Sequence, residues 1–476
     1  MRLLNTRASA TLALTMTLLL TLPLNGRPAT RAQAAAGLIY TQAPCVPVSI
    51  APSSSAPLIT QLLGGTDVTL VGTASGWSHI RIWSGLDGYA PASALGAAPP
   101  ARADEGDCTL PGVADAKVDI LPSEPGPFPL RAGGWTLGPA TLYAWPAANA
   151  LPVAGLRSGA KLAVSEWASD SAGRPWYHVT SSAGSGWLWA GDGRLAEPDP
   201  ATRIVNGKPV WEPVAGKGMW FTNYFTRHAD VNQIVAAAKA AGLTHIYAEV
   251  AITRYGFYAP VSLDRLLPAA HAQGIAVIAW VYPTLDNIAA DIRMTLRVAR
   301  YVTPSGDRPD GLATDIEEVT DSGSVYAYGQ VLRGVLGPDA LMVNSAMHPF
   351  THPDYPYAAI AASWNVMAPM DYWHSSRRHG YSAASVARFV TGSIVTIRAA
   401  MLAAGVSRPI PIEELGQMYD MYSNDGAGVG HNPTGAEITA DLRAARALDC
   451  IGASYFEWQT ATQAQWQALT AFAWPR

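Results

Sequence analysis

Charged residues are scarce in this chain of 476 residues. They make up 14%, against 49% hydrophobic residues. That balance excludes an intrinsically disordered chain and fits well-buried globular domains. The formal charge of −4 and the lack of a basic stripe argue against a nucleic-acid binder, which must neutralise phosphates with Lys and Arg. Cysteine is scarcer still, at three residues. No two stand at Cys-x-x-Cys spacing, which weakens zinc and thiol-redox readings. Cys45 and Cys108 flank a small segment whose ends a disulfide would staple. Cys450 ends a predicted helix and reads as a buried thiol, at the wrong end of the following strand for a peptidase nucleophile. The C-terminal half has no Gly-x-Ser-x-Gly elbow.

Long apolar runs are equally rare. Residues 10–24 form one, but it is short for a membrane span. Arg2 and Arg7 precede it, and Ala32-Gln33-Ala34 supplies a small-x-small cleavage pattern. Residues 1–35 therefore read as a secretory signal peptide, with no lipid-accepting Cys after the apolar run. The expectation is a secreted, extracellular or wall-associated monomer with no transmembrane segment after cleavage.

What is present is repetition, then alternation. Residues 57–91 and 152–190 share a pattern of Pro, short strand, Gly turn, strand and a Trp-x-His pair (Trp77/His79 and Trp176/His178). Each ends on Gly plus an aromatic, Gly88-Tyr89 and Gly186-Trp187. Short strands at this spacing predict small all-β barrels, over 38–97 and 131–196. Residues 98–130 and 197–217 are linkers rich in Pro, Gly and Ala. The two modules resemble bacterial SH3-like modules. The resemblance implies binding to wall polymers; the competing reading makes Trp77 and Trp176 core residues of inert spacers.

From residue 218 to 476, eight apolar runs of strand length alternate with eight amphipathic stretches, several ending at Gly (Gly242, Gly274, Gly405). Count and size predict an α/β fold, a (β/α)8 TIM barrel. A doubly wound sheet would want a Gly-rich phosphate turn after its first strand, and "GMWFTNYFTRHAD" has none.

Barrel sites form at the C-terminal ends of the strands. The polar and aromatic residues there are Asn223 and Tyr224, Glu249, Trp280 and Tyr282, Asp315 and Glu317, Asn344, Asp371 and Tyr372, Glu413 and Glu414, and Glu457 and Trp458. Alternation puts Asp315 and Glu317 on one face and Ile316 on the other. Adjacent like charges raise the proton affinity of one member, as a general acid for glycosidic oxygen requires.

"DGLATDIE" resembles the strand-4 signature of family 18 glycoside hydrolases, Asp-Gly-x-Asp-x-Asp-x-Glu. Asp310, Gly311, Asp315 and Glu317 match, while Ala313 stands where the middle Asp belongs. "MAPMDYW" is similar to the family's strand-6 segment, and Trp458 matches the aromatic that floors the sugar site. The resemblance implies that Glu317 protonates the leaving group, Asp315 orients an N-acetyl group acting as internal nucleophile, and Asp371 and Tyr372 steady it. It implies an amino-sugar polymer or peptidoglycan as partner and no cofactor. Ala313 departs from the substrate-assisted route. A second mechanism would pair Glu317 with a nucleophile on strand 7, Glu413 or Glu414.

Blander readings stand beside these. Glu318 reads as a helix-start acid, Asp310 as a shaper of the strand-4 entry, and Glu249 as a salt-bridge partner of Arg254 no less than a substrate ligand. His348 and His352 have i, i+4 spacing, a weak metal or deacetylase signal. Arg377 and Arg378 read as solvated loop residues. The alternative function is a non-catalytic glycan-binding surface protein.

Overall fold

A computed structural model of the protein describes residues 38–100 (apart from 44, 57, 64–66, 83–85 and 99), 124–195, 202–222, 230–375, 382–419, 432–458 and 461–475. The signal-peptide reading, Cys108, and most of the first linker lie outside the described residues.

The apolar runs form eight parallel strands, here β1 Gly216–Phe221, β2 His245–Ile252, β3 Ala276–Tyr282, β4 Gly311–Asp315, β5 Met342–Met347, β6 Val366–Met370, β7 Glu413–Gln417 and β8 Gly452–Phe456. Each pairs with its sequence neighbour, and β1 pairs with both β2 and β8, so the sheet closes. The helices are α1 Val231–Ala240, α2 Pro260–His271, α3 Ile288–Ala299, α4 Ser322–Leu336, α5 Tyr357–Ala361, α6 Ala383–Ala403, α7 Gly435–Ala447 and α8 Gln463–Ala471. Strands covered on the outside by helices and packed inside the barrel are apolar on both faces.

Local chemistry sets the helix ends. Asp230, Asn287 and Asp321 accept backbone N–H groups at the starts of α1, α3 and α4, and Ser382, Thr434 and Thr462 open capping boxes. Asp321, not Glu318, is thus the acid at the start of α4. Gly242 and Gly405 follow α1 and α6 at φ 69° and 85°, where a Cβ would be strained.

Inside the barrel, Trp220, Tyr247, Ile278, Ala313, Val343, Val366, Ala368 and Leu415 form one apolar cluster. The Trp220 and Tyr247 rings stack at 3.9 Å. Below them, His245 Nε2 lies 2.7 Å from Glu413 Oε1, and Tyr247 donates to the other carboxylate oxygen. The His245 ring fits only because residue 218 lacks a side chain: a Cβ there would lie 2.0 Å from Nε2. Lys217 is buried and donates to the carbonyls of Ala241, Leu469 and Phe472 at 2.8, 2.7 and 2.8 Å, tying the ends of α1 and α8 together.

Two seven-stranded antiparallel sheets precede the barrel, over Leu38–Gly96 and Phe128–Leu195, and their strands follow the same spatial order. The repeated sequence pattern thus produces a repeated topology. Trp176 is buried, donating to Asp170 at 3.1 Å, while His79 stacks on Tyr89 and His178 tilts against Trp187. The second sheet rests on α3 and α4. Leu195 N–H donates to Gln330 Oε1 at 2.8 Å, and Gly173 C=O accepts from Ala289. Gly323 and Gly334 of α4 clear space for Trp189 and for Leu130 and Leu195.

Candidate active site

Strand β4 presents its residues as alternation requires. Ala313 joins the inner apolar cluster, and Thr314 faces the helices, bonded to Trp364 and Asn344. Asp315 returns inward, Ile316 enters the outer core, and Glu317 follows on the inward side. Asp315 and Glu317 open into a cleft of about 540 Å³ at the C-terminal ends of the strands.

The cleft wall is largely aromatic. Trp220 and Trp280 form its base, Tyr282 stands on the β3 side, and Tyr372, Tyr419 and Phe456 stand on the β6–β8 side. Flat apolar faces with polar rims suit a sugar ring, whose C–H faces stack while its hydroxyls bond at the edges.

Burial holds the proton on the acid pair. Asp315 is pushed well above the ordinary carboxyl range by burial first and then by the charge of Glu317, while Ser345 and Trp280 draw it part-way back. Glu317 is half-buried and also raised, by burial and by Glu318, with Asp315 opposing. Two carboxyls this close in low dielectric retain a proton between them. The phenols of Tyr282 and Tyr372 are pushed up as well, by burial and by neighbours that include these acids, so both remain neutral donors. Tyr282 reaches Glu318 Oε1 at 3.3 Å.

Glu249 enters from β2. Its strand has an irregularity between Glu249 and Ala251 in its pairing with β3, a device that re-aims side chains near sites. Tyr258 donates to Glu249 Oε1 at 2.5 Å. Arg254 covers the ring of Tyr255. His348, Thr351 and His352 line the β5 side, with Thr351 Oγ1 3.2 Å from His348 Nε2 and 2.8 Å from His352 Nδ1. Among the described residues no group of three His, Cys, Asp or Glu side chains is placed to hold a metal ion.

Other residues singled out from the sequence lie elsewhere. Glu413 belongs to the barrel floor with His245 and Tyr247, because it begins β7 rather than ending it. Glu414 and Asp371 point outward into the helix layer. Ser393 donates to Asp371 at 2.5 Å, and Glu414 sits between Asp371 and Asp441. Asn344 also faces the helices, bonded to Thr314 and Tyr355. Trp458 is fully buried between Phe221 and Trp466 and does not floor the cleft; Phe456, two residues earlier, faces it. Glu457 is half-buried, and its charge acts on Tyr372. Asp310 accepts from Val277 N–H and lies 2.9 Å from His271 Nε2 at the entry to β4. Asn223, Tyr224, Arg377 and Arg378 lie outside the described residues.

Sequence reasoning missed Trp220, Ser345, Tyr258, Tyr419 and Phe456. Trp220 and Phe456 were available from alternation, two positions from other inward residues. Tyr258 and Tyr419 sit beyond the strands and carry no periodic signal.

No protein-family model and no curated protein matches the chain. Solved structures similar to it include the spore cortex-lytic enzyme SleL of Bacillus cereus, at 11% identity over 54% of this chain and 75% of that one, with TM-score 0.42. A GH18 chitinase of Cycas revoluta in complex with (GlcNAc)4 aligns at 12% identity over 54% and 97%, with TM-score 0.39. A chitinase of Bacteroides thetaiotaomicron aligns at 11% over 54% and 94%, with TM-score 0.41. The barrel itself rests on its own closed strand pairing.

Proposed function

We propose that the barrel hydrolyses a glycosidic bond, with Glu317 as the general acid. The observation that carries this is the proton-retaining pair Asp315 and Glu317, set in an open cleft walled by aromatic rings. A departing sugar oxygen is a poor leaving group, and protonation as the bond breaks contributes typically 10²–10⁴-fold. Burial and the charge of Glu318 keep the proton affinity of Glu317 high, and Asp315 beside it faces the reacting ring. Tyr282 and Tyr372 supply neutral donors to the bound sugar.

The substrate class we favour is an amino-sugar polymer of a cell wall or extracellular matrix. The proposal extends to export through residues 1–35 and to polymer binding by the N-terminal sheets, read as SH3-like modules. Exposed Trp145, at 47% of its surface, offers a stacking face there.

Reducing-sugar release from chitin, peptidoglycan and neutral polysaccharides tests the reading. Wild type should release sugar, and Glu317→Gln should lose at least about 100-fold in kcat. Binding without release by the wild type would point to the second reading, a glycan-binding scaffold. The apolar surroundings of Ala313 favour that reading, since the second inward carboxyl of the strand-4 signature is missing.

A further inference from the structure

We infer that a cavity between the second sheet and the barrel binds an acidic group, phosphate or carboxylate, of a wall polymer. The cavity stands on its own geometry. The choice of a wall polymer as its occupant rests on the proposed function.

The cavity has a volume of about 560 Å³. The end of the second sheet contributes Arg194, the start of α4 contributes Ser322, Gly323 and Tyr326, and the turn after α6 contributes Ser407 and Arg408. Alanines of α5 form the remaining wall. No lining residue is shared with the cleft that holds Asp315 and Glu317.

Its charge is one-sided. Two guanidiniums line the cavity, and no Asp or Glu does. Among the described residues neither arginine forms an ion pair. Two cations without a counter-charge raise a local positive potential that favours anions. Arg194 is half-buried and lies over the ring of Trp135 at 5.7 Å, a contact that holds its planar fork in place. Arg408 is exposed.

A buried phenol adds a second, independent observation. Tyr326 lines the cavity at 7% exposure, and its hydroxyl has no hydrogen-bond partner in the protein. Leaving a buried hydroxyl unbonded is costly, and such a group calls for a partner. Burial pushes the phenol up while the charge of Arg194 opposes this. Tyr326 is therefore a neutral donor beside a cation, an arrangement from which an oxyanion accepts charge-assisted bonds. The helix ends are already satisfied. Asp321 takes the Ser324 N–H at the start of α4, and the Gly405 and Val406 N–H groups close the end of α6. The site thus stands on side chains and not on a bare helix terminus.

Both folding units supply it, Arg194 from the sheet and Tyr326 and Arg408 from the barrel. An anion seated among them clamps the sheet to the barrel, so binding should raise the thermal midpoint of the full-length protein.

Calorimetric titration of the full-length protein tests this. The probes are a soluble poly(glycerol phosphate) chain, soluble peptidoglycan strands that carry carboxylates, and chitohexaose as a neutral control. At least one acidic polymer should bind, and which one binds separates phosphate from carboxylate. Arg194→Gln and Arg408→Gln should each weaken that binding about tenfold or more, with binding and cleavage of chitohexaose unchanged. Tyr326→Phe should weaken it several-fold without lowering the thermal midpoint of the unliganded protein, because the hydroxyl it removes has no partner there. If Arg194→Gln does not fold, the exposed Arg408 carries the test alone. Binding of neither acidic polymer, or binding that the arginine variants retain in full, overturns the inference. Acidic-polymer binding that depends on the arginines, in a protein that cleaves no glycan, would defeat the hydrolase reading and leave this site standing.

Discussion

At Asp315 and Glu317 the chain places two acids where water cannot fully solvate them, and their proton affinity rises. Activity that needs Glu317 protonated should therefore persist above the ordinary carboxyl range, near ~4, and fall as pH climbs through the raised value. A second buried set answers to the same physics. Asp371, Glu414 and Asp441 lie between β6, β7 and α7 with no exposed surface, and Tyr455 donates to Asp441 at 2.5 Å. All three are raised by burial, Asp441 to about 7. A carboxyl that holds its proton more tightly when folded favours the folded state at low pH. That stability is lost as pH rises from near ~4 toward about 7. Asp441→Asn should flatten the loss, worth at most roughly 4 kcal/mol, measured by thermal unfolding at pH 5 and pH 8. An unchanged pH profile would show that the cluster does not set the dependence. None of this was legible at residue level. Asp371 follows the last residue of β6 while Glu414 is the second residue of β7, and on either strand a shift of one position decides between the barrel interior and the helix layer.

At the scale of elements, β4 was the most readable. Its alternation of Ala313, Asp315 and Glu317 against Thr314 and Ile316 predicts the inward face found in the structure. The strand-7 acids misled because the strand begins at Glu413, four residues later than its apolar run suggested. Helix α4 shows a different constraint. Gly334 faces the second sheet, where a Cβ would lie 2.7 Å from Leu195 and 2.8 Å from Leu130. Gly334→Leu should therefore unseat that sheet, costing about 1–3 kcal/mol. Limited proteolysis would read this as faster cleavage between the sheet and the barrel. Cleavage at the wild-type rate would mean the contact contributes little.

At the scale of the whole molecule, the second sheet is fixed to the outer face of α3 and α4 rather than loosely strung before the barrel. A polymer held there would approach the cleft from a constant direction. Trp145→Ala should weaken co-sedimentation with insoluble wall polymer several-fold, the order expected for one lost aromatic contact, while hydrolysis of short soluble oligosaccharides stays unchanged. Equal loss on both substrates would place Trp145 in folding and not in capture.

The sequence alone determined the alternation of strand and helix, the repeated β-modules and the inward pairing of Asp315 with Glu317, because each is a local periodicity written in consecutive residues. Tertiary structure decided which other side chains join them. Closing the barrel sets the layer and facing of every strand, and so it committed Glu413 to the floor, turned Glu414, Asp371 and Asn344 toward the helices, and left Glu249 in the cleft at the level of Ala313. Those assignments depend on register between strands far apart in sequence, which no local pattern encodes.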